Sequence, residues 1–297
     1  MISKFLDYIA IERKYSNRTV EAYRDDLRDF CAYLGWELQD FDPKQIDEHD
    51  IRAWMIDLLD SGKSPRSVKR YLSSLRSFYK FMLRVGLVDK DVTRKVIAPK
   101  VDKPLPVFFK EGEMQRAAEY EAEADDFESM RDCLIIEMLY QTGMRQAELL
   151  GLTDADVDIV QGQVRIFGKR RKERIVPIGD KLIAQIRDYL DARQSLGGVS
   201  KFFVRIKRNG DVEPLNKSTL YNIVRARMGE VSTLKKHSPH VLRHTFATTM
   251  LNNGADIRTI QSLMGHASLA ATQVYTHTTF EQARKAYNAA HPRAKQD

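Results

Sequence analysis

The stretch from Val88 to Pro106, VDKDVTRKVIAPKVDKPLP, constrains the fold more than any other, because it carries three prolines and no sustained helical period. Proline removes a backbone donor and pushes the residue before it out of the helical region, so no helix or central strand runs through this text. The chain therefore divides into two folding halves, residues 1–87 and 107–297, joined by a linker over 88–106. At 297 residues, 43% of them hydrophobic, there is length and apolar material for a core in each half.

The first half reads as helices. Phe5, Leu6, Ile9 and Ala10 recur at helical spacing, and a second helix from Ser16 or Asn17 carries Val20, Tyr23, Leu27 and Phe30 before Gly35 ends it. Ile51, Trp54, Met55, Leu58 and Leu59 mark a third, and Ser64 with Pro65 opens a fourth. A small four-helix bundle is expected. Residues 63–86 hold seven Lys or Arg and no acid. Val68, Leu72, Leu75, Tyr79 and Met82 form one stripe of that helix, and Arg66, Lys69, Arg76, Lys80 and Arg84 form another. A basic face is commonly just a solvated one, but the missing acids favour contact with phosphates.

In the second half, helices are expected around Glu111–Ala124, Phe127–Tyr140, Asp180–Gln194 and Ser218–Met228. Gly143 breaks the chain and puts Arg145 at the start of a short helix, with Glu148 one turn on to hold its guanidinium. Gln163–Phe167 and Arg174–Ile178 alternate as a hairpin around a basic turn with Lys169 at its tip, and a further short strand is expected at Phe202–Val204. The fold class is thus mainly α, a helical domain followed by an α+β domain with a small antiparallel sheet.

The stretch His240–Tyr275 carries the chemistry. Ser238 and Pro239 start a helix whose Val241, Leu242, Phe246 and Met250 leave His240 and Arg243 one turn apart on another face. A second helix runs from about Asp256 to Met264 and stops at Gly265, so His266 sits at a turn; Ser268 caps a short third helix that ends on Tyr275. Arginine and imidazolium donors neutralise phosphate oxygens, and a phenol can attack phosphorus. With a pKa of about 10, the phenol needs a proton acceptor, and a neighbouring histidine can serve.

His-x-x-Arg, then Gly-His, then Tyr nine residues on, together with Thr142-Gly-Met-Arg-Gln-Ala-Glu-Leu149, resembles the tyrosine recombinases, most nearly the Xer type. Gly168-Lys169 before Lys172-Glu-Arg174-Ile-Val-Pro177 matches that family's lysine turn, and Ala290-His-Pro-Arg-Ala294 its ending. The resemblance covers nearly the whole chain. It implies a SAM-like core-binding domain that clamps DNA, and a catalytic domain with Arg145, Lys169, His240, Arg243, His266 and the nucleophile Tyr275. Glu148 would support Arg145, and Arg170, Arg171 and Lys172 would contact the DNA backbone. Arg170 stands where the family tends to have glycine, and Lys172 remains a rival to Lys169. The implied activity is site-specific cleavage and rejoining of DNA through a 3′-phosphotyrosine link, in chromosome dimer resolution or mobile-element movement. The implied partners are double-stranded DNA, further protomers in a homo- or hetero-tetramer on paired sites, and a second recombinase or accessory activator. The C-terminal stripe Phe280, Ala283, Tyr287 and Ala290 is expected to dock on a neighbouring protomer.

Other readings fare less well. A type IB topoisomerase would use much the same residues without assembly on a site, and a catalytically silent DNA-binding protein would not need the full set. His240 and His244 have zinc-helix spacing, but Val241, Leu242 and Arg243 between them supply no glutamate base and place a cation among the ligands. No metal or cofactor is expected, and no Gly-x-x-x-x-Gly-Lys-Ser/Thr loop is present. A net charge of +7 fits a polyanionic partner, and Cys31 and Cys133 alone support neither a disulfide framework nor a cysteine zinc site. Asp7 and Glu12 interrupt the apolar N-terminus, so it reads as an amphipathic helix, and no run reaches membrane-spanning length. A cytoplasmic location, without membrane contact, is expected.

Overall fold

The computed structural model describes residues 1–101, 107–118, 126–168, 173–197, 199–265 and 277–294. The chain splits into two compact units, Met1–Pro104 and Leu105–Asp297.

In the first unit, α1 (Ile2–Asp7) continues into a π-helical turn over Tyr8–Glu12. It is followed by α2 (Asn17–Tyr33), α3 (Glu48–Asp60) and α4 (Pro65–Arg84). Each of the last three starts where the sequence supplies an acceptor for orphan amides: Ser16 caps α2, Asp47 with Asp50 forms a capping box on α3, and Ser64 caps α4 ahead of Pro65. Their apolar stripes meet in a core rich in aromatic rings, with Phe30 against Trp54 at 4.8 Å and Phe5 edge-on to Phe78 at 5.5 Å. The expected four-helix bundle is what forms.

The stretch expected as a linker is only partly one. Val92–Lys95 forms a 3₁₀ turn on α3 and α4, and Val88 and Val96 are buried in the first unit's core. Backbone carbonyls left without a regular partner are taken up by α-helical arginines: Arg76 donates to Val96 O at 2.8 Å and Arg52 to Lys95 O at 3.2 Å. Apolar residues spaced through a proline-containing text found a surface to pack on, which periodicity alone does not reveal.

The second unit is built on α6 (Phe127–Thr142), buried over most of its length and packed by α5 (Glu111–Ala118), α8 (Asp180–Gln194), α9 (Lys217–Val231) and α10 (Pro239–Asn252). A helix buried all round shows little amphipathic pattern, and that of α6 is nearly uniform. After the short α7 (Gln146–Leu149), β1 (Val157–Asp158), β2 (Gln163–Phe167) and β3 (Glu173–Pro177) form an antiparallel sheet in that order. The register pairs Val164 with Val176 and Ile166 with Arg174, and all four side chains face inward. Phe202 and Phe203 belong to the core instead of a strand; the strand is β4 (Val204–Ile206), paired with an unforeseen β5 (Val212–Pro214).

The unit closes with α11 (Ile257–Met264) and α12 (His277–Ala290). Ala283, Tyr287 and Ala290 are buried in their own unit's core, and Tyr287 Oη donates to Gln141 Oε1 at 3.3 Å. In the single chain the C-terminal stripe therefore packs in cis, whereas docking on a neighbour was expected. The reason is local: α10, α11 and β3 leave an apolar seat that the stripe fills, and Asn253 Nδ2 donates to Ala290 O at 2.8 Å.

Candidate active site

Gly143 ends α6 in the left-handed region at φ +58, and a Cβ placed there would lie 2.4 Å from the Phe246 ring. Only glycine permits both the turn and the approach of α10. The turn delivers Arg145 to the N-cap of α7, where its N–H donates to Glu148 Oε2 and its Nη1 to Glu148 Oε1, both at 2.8 Å. Glu148 thus accepts from both the backbone and the guanidinium of Arg145.

Sequence reasoning missed the other half of that carboxylate's environment. Arg174, on the inward face of β3 and 3% exposed, donates from Nη1 to Glu148 Oε1 at 3.1 Å and from Nη2 to Oε2 at 2.7 Å. Burial alone would raise the Glu148 pKa, but the hydrogen bonds and charge of Arg174, with those of Arg145, outweigh it and hold the carboxyl below its ordinary value. The sequence signal was Arg174's place in Lys-x-Arg-x-x-Pro, at the start of the second hairpin strand, which by itself assigns it no partner.

Three guanidiniums then converge on one helix end. Arg174 Nε donates to Leu263 O at 2.7 Å, Arg243 Nη2 to Met264 O at 2.6 Å, and Arg145 Nη2 to Gly265 O at 3.4 Å. These carbonyls belong to the C-terminal turn of α11 and its cap, where helical partners run out and the dipole favours cations. Arg243 also donates from Nη1 to Gly143 O, tying α10 to the α6 turn. Burial, then repulsion from Arg145 and Arg174, brings the Arg243 pKa down to about 10, so it stays charged at neutral pH. Arg145 is the exposed member, with 44% of its side chain open to solvent.

His240 lies in the first turn of α10 and is exposed, with its ring stacked 6.4 Å from that of His244. Partial desolvation of the ring, then the positive fields of His244 and Arg243, lower its pKa, so the imidazole is neutral at pH 7 and able to accept a proton. Lys169, Arg170, Arg171 and Lys172, along with His266 and Tyr275, lie outside the described residues. So does the helix expected after Ser268.

On the first unit, all five cations of the α4 stripe are exposed. Arg76, Lys80 and Arg84 line an open groove of about 380 Å³ with Tyr8 and Tyr23, joined by Arg13, which sequence reasoning passed over. Arg84 lies 4.2 Å over the Tyr8 ring and donates to its hydroxyl at 2.9 Å. Arg66 and Lys69 are not among the lining residues. Arg70, the remaining cation of α4, is also half exposed but is bonded to a buried Asp26, with both oxygens within 2.6 Å.

Comparison with known proteins agrees with this architecture. The phage integrase N-terminal SAM-like domain matches residues 2–86, and the phage integrase family domain matches residues 108–282. Tyrosine recombinase XerC of Chlorobaculum tepidum is 36% identical, over 99% of this chain and 94% of the relative. Tyrosine recombinase XerD of Staphylococcus saprophyticus is also 36% identical, over 99% of each chain. In fold, the chain is similar to XerH site-specific recombinase in a post-cleavage complex with palindromic difH substrate, at a TM-score of 0.69 and 23% identity, covering 97% of this chain and 84% of that one. Since both domain models match in the expected order and the relatives align from end to end, the chain belongs to the phage integrase family, among the DNA strand-transferring tyrosine recombinases of the Xer type.

Proposed function

We propose that this chain cuts and rejoins double-stranded DNA at a specific site, with Tyr275 as nucleophile. The phenol oxygen attacks the scissile phosphorus while its proton passes to His240. The bond from phosphorus to the 5′ oxygen breaks, and Lys169 protonates that oxygen. Arg145, Arg243 and His266 hold the nonbridging oxygens as charge builds on them. The 3′-phosphotyrosine link conserves the phosphodiester's free energy, so a second 5′ hydroxyl reverses the steps on a new strand.

The observation that carries this reading is the cationic centre at the end of α11: an exposed Arg145 fixed by Glu148, a charged Arg243, and a neutral His240 one turn away. The basic groove of α4 supports contact with DNA phosphates by Arg76, Lys80 and Arg84, with Arg66 and Lys69 further along the helix and Arg170, Arg171 and Lys172 at the lysine turn. The working form on DNA would be a homo- or hetero-tetramer on paired sites, acting in the cytoplasm. For α12 to join protomers it would have to exchange its seat between copies, because the single chain fills that seat itself.

A nicked duplex that loses its short 5′ fragment on cleavage traps the covalent complex. Tyr275→Phe is expected to bind this substrate nearly as well as the unmodified chain and to form no complex that survives denaturant. A denaturant-resistant complex with the Phe variant removes Tyr275 from the role.

A further inference from the structure

Arg174 is a cation only 3% exposed that joins the carboxylate behind Arg145 to the last turn of α11. Its guanidinium donates to both oxygens of Glu148 and to Leu263 O. Glu148 in turn accepts from the side chain and the N–H of Arg145, so its two oxygens receive four hydrogen bonds. That saturates a carboxylate. The orientation of Arg145 is thereby determined by a group it does not touch. A buried hydrophobic residue opposite Ile166 would be the ordinary occupant of this inward sheet position, and an ion pair there carries a desolvation cost.

A second observation, independent of the charge pairing, lies at Gly265. Its φ is +65, and a Cβ there would stand 3.0 Å from Arg174 Nη1 and 3.3 Å from its Cδ. The helix cap and the guanidinium are thus in close contact, and a side chain on the cap would push the Arg174 guanidinium out of place by a few tenths of an ångström. In sequence, His266 follows directly.

We propose that Arg174 is a positioning residue for strand cleavage: by clamping Glu148 and the last turn of α11 together, it sets Arg145 and Arg243 in the arrangement that receives the scissile phosphate. It makes no contact with DNA itself. Lysine cannot replace it, because one ammonium cannot span a carboxylate edge and a carbonyl with the planar fork that Arg174 uses. This rests on the reading of the site as a DNA-cleaving centre.

The test uses the full chain with Arg174→Lys, Gly265→Ala, and the double variant Arg174→Gln/Glu148→Gln, which removes both charges of the buried pair together. Three quantities are read: the melting temperature, half-site affinity, and the single-turnover rate of covalent complex formation on the nicked duplex. Misplacement of about 1 Å can cost about 100-fold in rate. The expected result is a folded protein in which Arg174→Lys and Gly265→Ala bind the half-site within about threefold of the unmodified chain and cleave on the order of 100-fold more slowly. A substrate whose bridging 5′ oxygen is sulfur should leave that defect in place, because leaving-group protonation is not what is missing. Cleavage at the normal rate by the folded variants overturns the proposal. So does a loss of affinity that matches the loss of rate, or unfolding of all three variants, since either makes Arg174 a residue of the fold alone. If the unmodified chain forms no covalent complex, the reading of the site fails instead, and the two failures are told apart in one experiment.

Discussion

At the residue scale, the arginines at the end of α11 divide into two that face the protein and one that faces outward. Arg174 and Arg243 are buried and bonded to backbone carbonyls or to Glu148, while Arg145 keeps an exposed edge. His240 complements them because its surroundings disfavour the charged ring. Its folded pKa lies below the ordinary value of about 6.5, so the acceptor form persists as pH falls through that value. The cleavage rate on the nicked duplex is therefore expected to hold from pH 7 to near 6.5 and to decline only at more acid pH. His240→Gln should lower the rate by about 100-fold and flatten this limb; an unchanged acid limb in that variant would assign the titration to another group.

At the element scale, α4 carries two kinds of cation, five along one exposed stripe and Arg70 outside it. Lys69 and Lys80 are exposed, whereas Arg70 grips the buried Asp26, which Ser74 also bonds at 2.5 Å. Plotting log affinity for a half-site against log salt should give a slope reduced by about 1 for Lys69→Ala and for Lys80→Ala. Arg70→Ala should instead lower the melting temperature, because it strands a buried carboxylate. The C-terminal helix offers a different test. His291 follows α12 and is enclosed by Tyr140, Phe246 and Tyr287, and Arg293 N donates to its Nδ1 at 3.1 Å. Burial, opposed by a backbone hydrogen bond at Tyr140, lowers its pKa to about 3. In the unfolded chain the ring takes up a proton near pH 6.5 that the folded ring refuses, so stability is full above that pH and is lost as pH falls toward 3. The steepest slope is about 1.4 kcal/mol per pH unit. Urea unfolding at pH 7 and pH 5 should show this loss, and His291→Phe should lessen it.

At the scale of the whole molecule, the two units have separate cores that share no residue among those described. Two cores of this kind are expected to melt as two transitions. Tyr287→Ala should lower only the transition of the second unit, by about 3 kcal/mol, since Tyr287 is fully buried there. Calorimetry resolves this; a shift of both transitions together would mean the units unfold as one. The same substitution bears on α12, because a helix seated on its own core contributes to stability before it contributes to assembly.

The sequence by itself determined the helices with strong start and stop signals and the break after α6. It also marked Arg145, Lys169, His240, Arg243, His266 and Tyr275 as candidates for the chemistry, because capping, glycine punctuation and motif spacing are local; Arg145, His240 and Arg243 are those among the described residues. Periodicity likewise fixed α8 to its observed ends and β2 to its observed residues. What only the tertiary structure decided depends on register and on what lies across the core. An alternating pattern does not say which face turns inward, so the buried place of Arg174 became visible only once the register with β2 put it opposite Ile166. Arg243 shared a helical face with His240 in the text, yet neighbouring carbonyls from α6 and α11 drew it inside. The apolar spacing of α12 was plain, but whether it packs on its own unit or on another is a question of which surface is left uncovered. Here that surface is a seat among α10, α11 and β3, assembled from residues far apart in the chain.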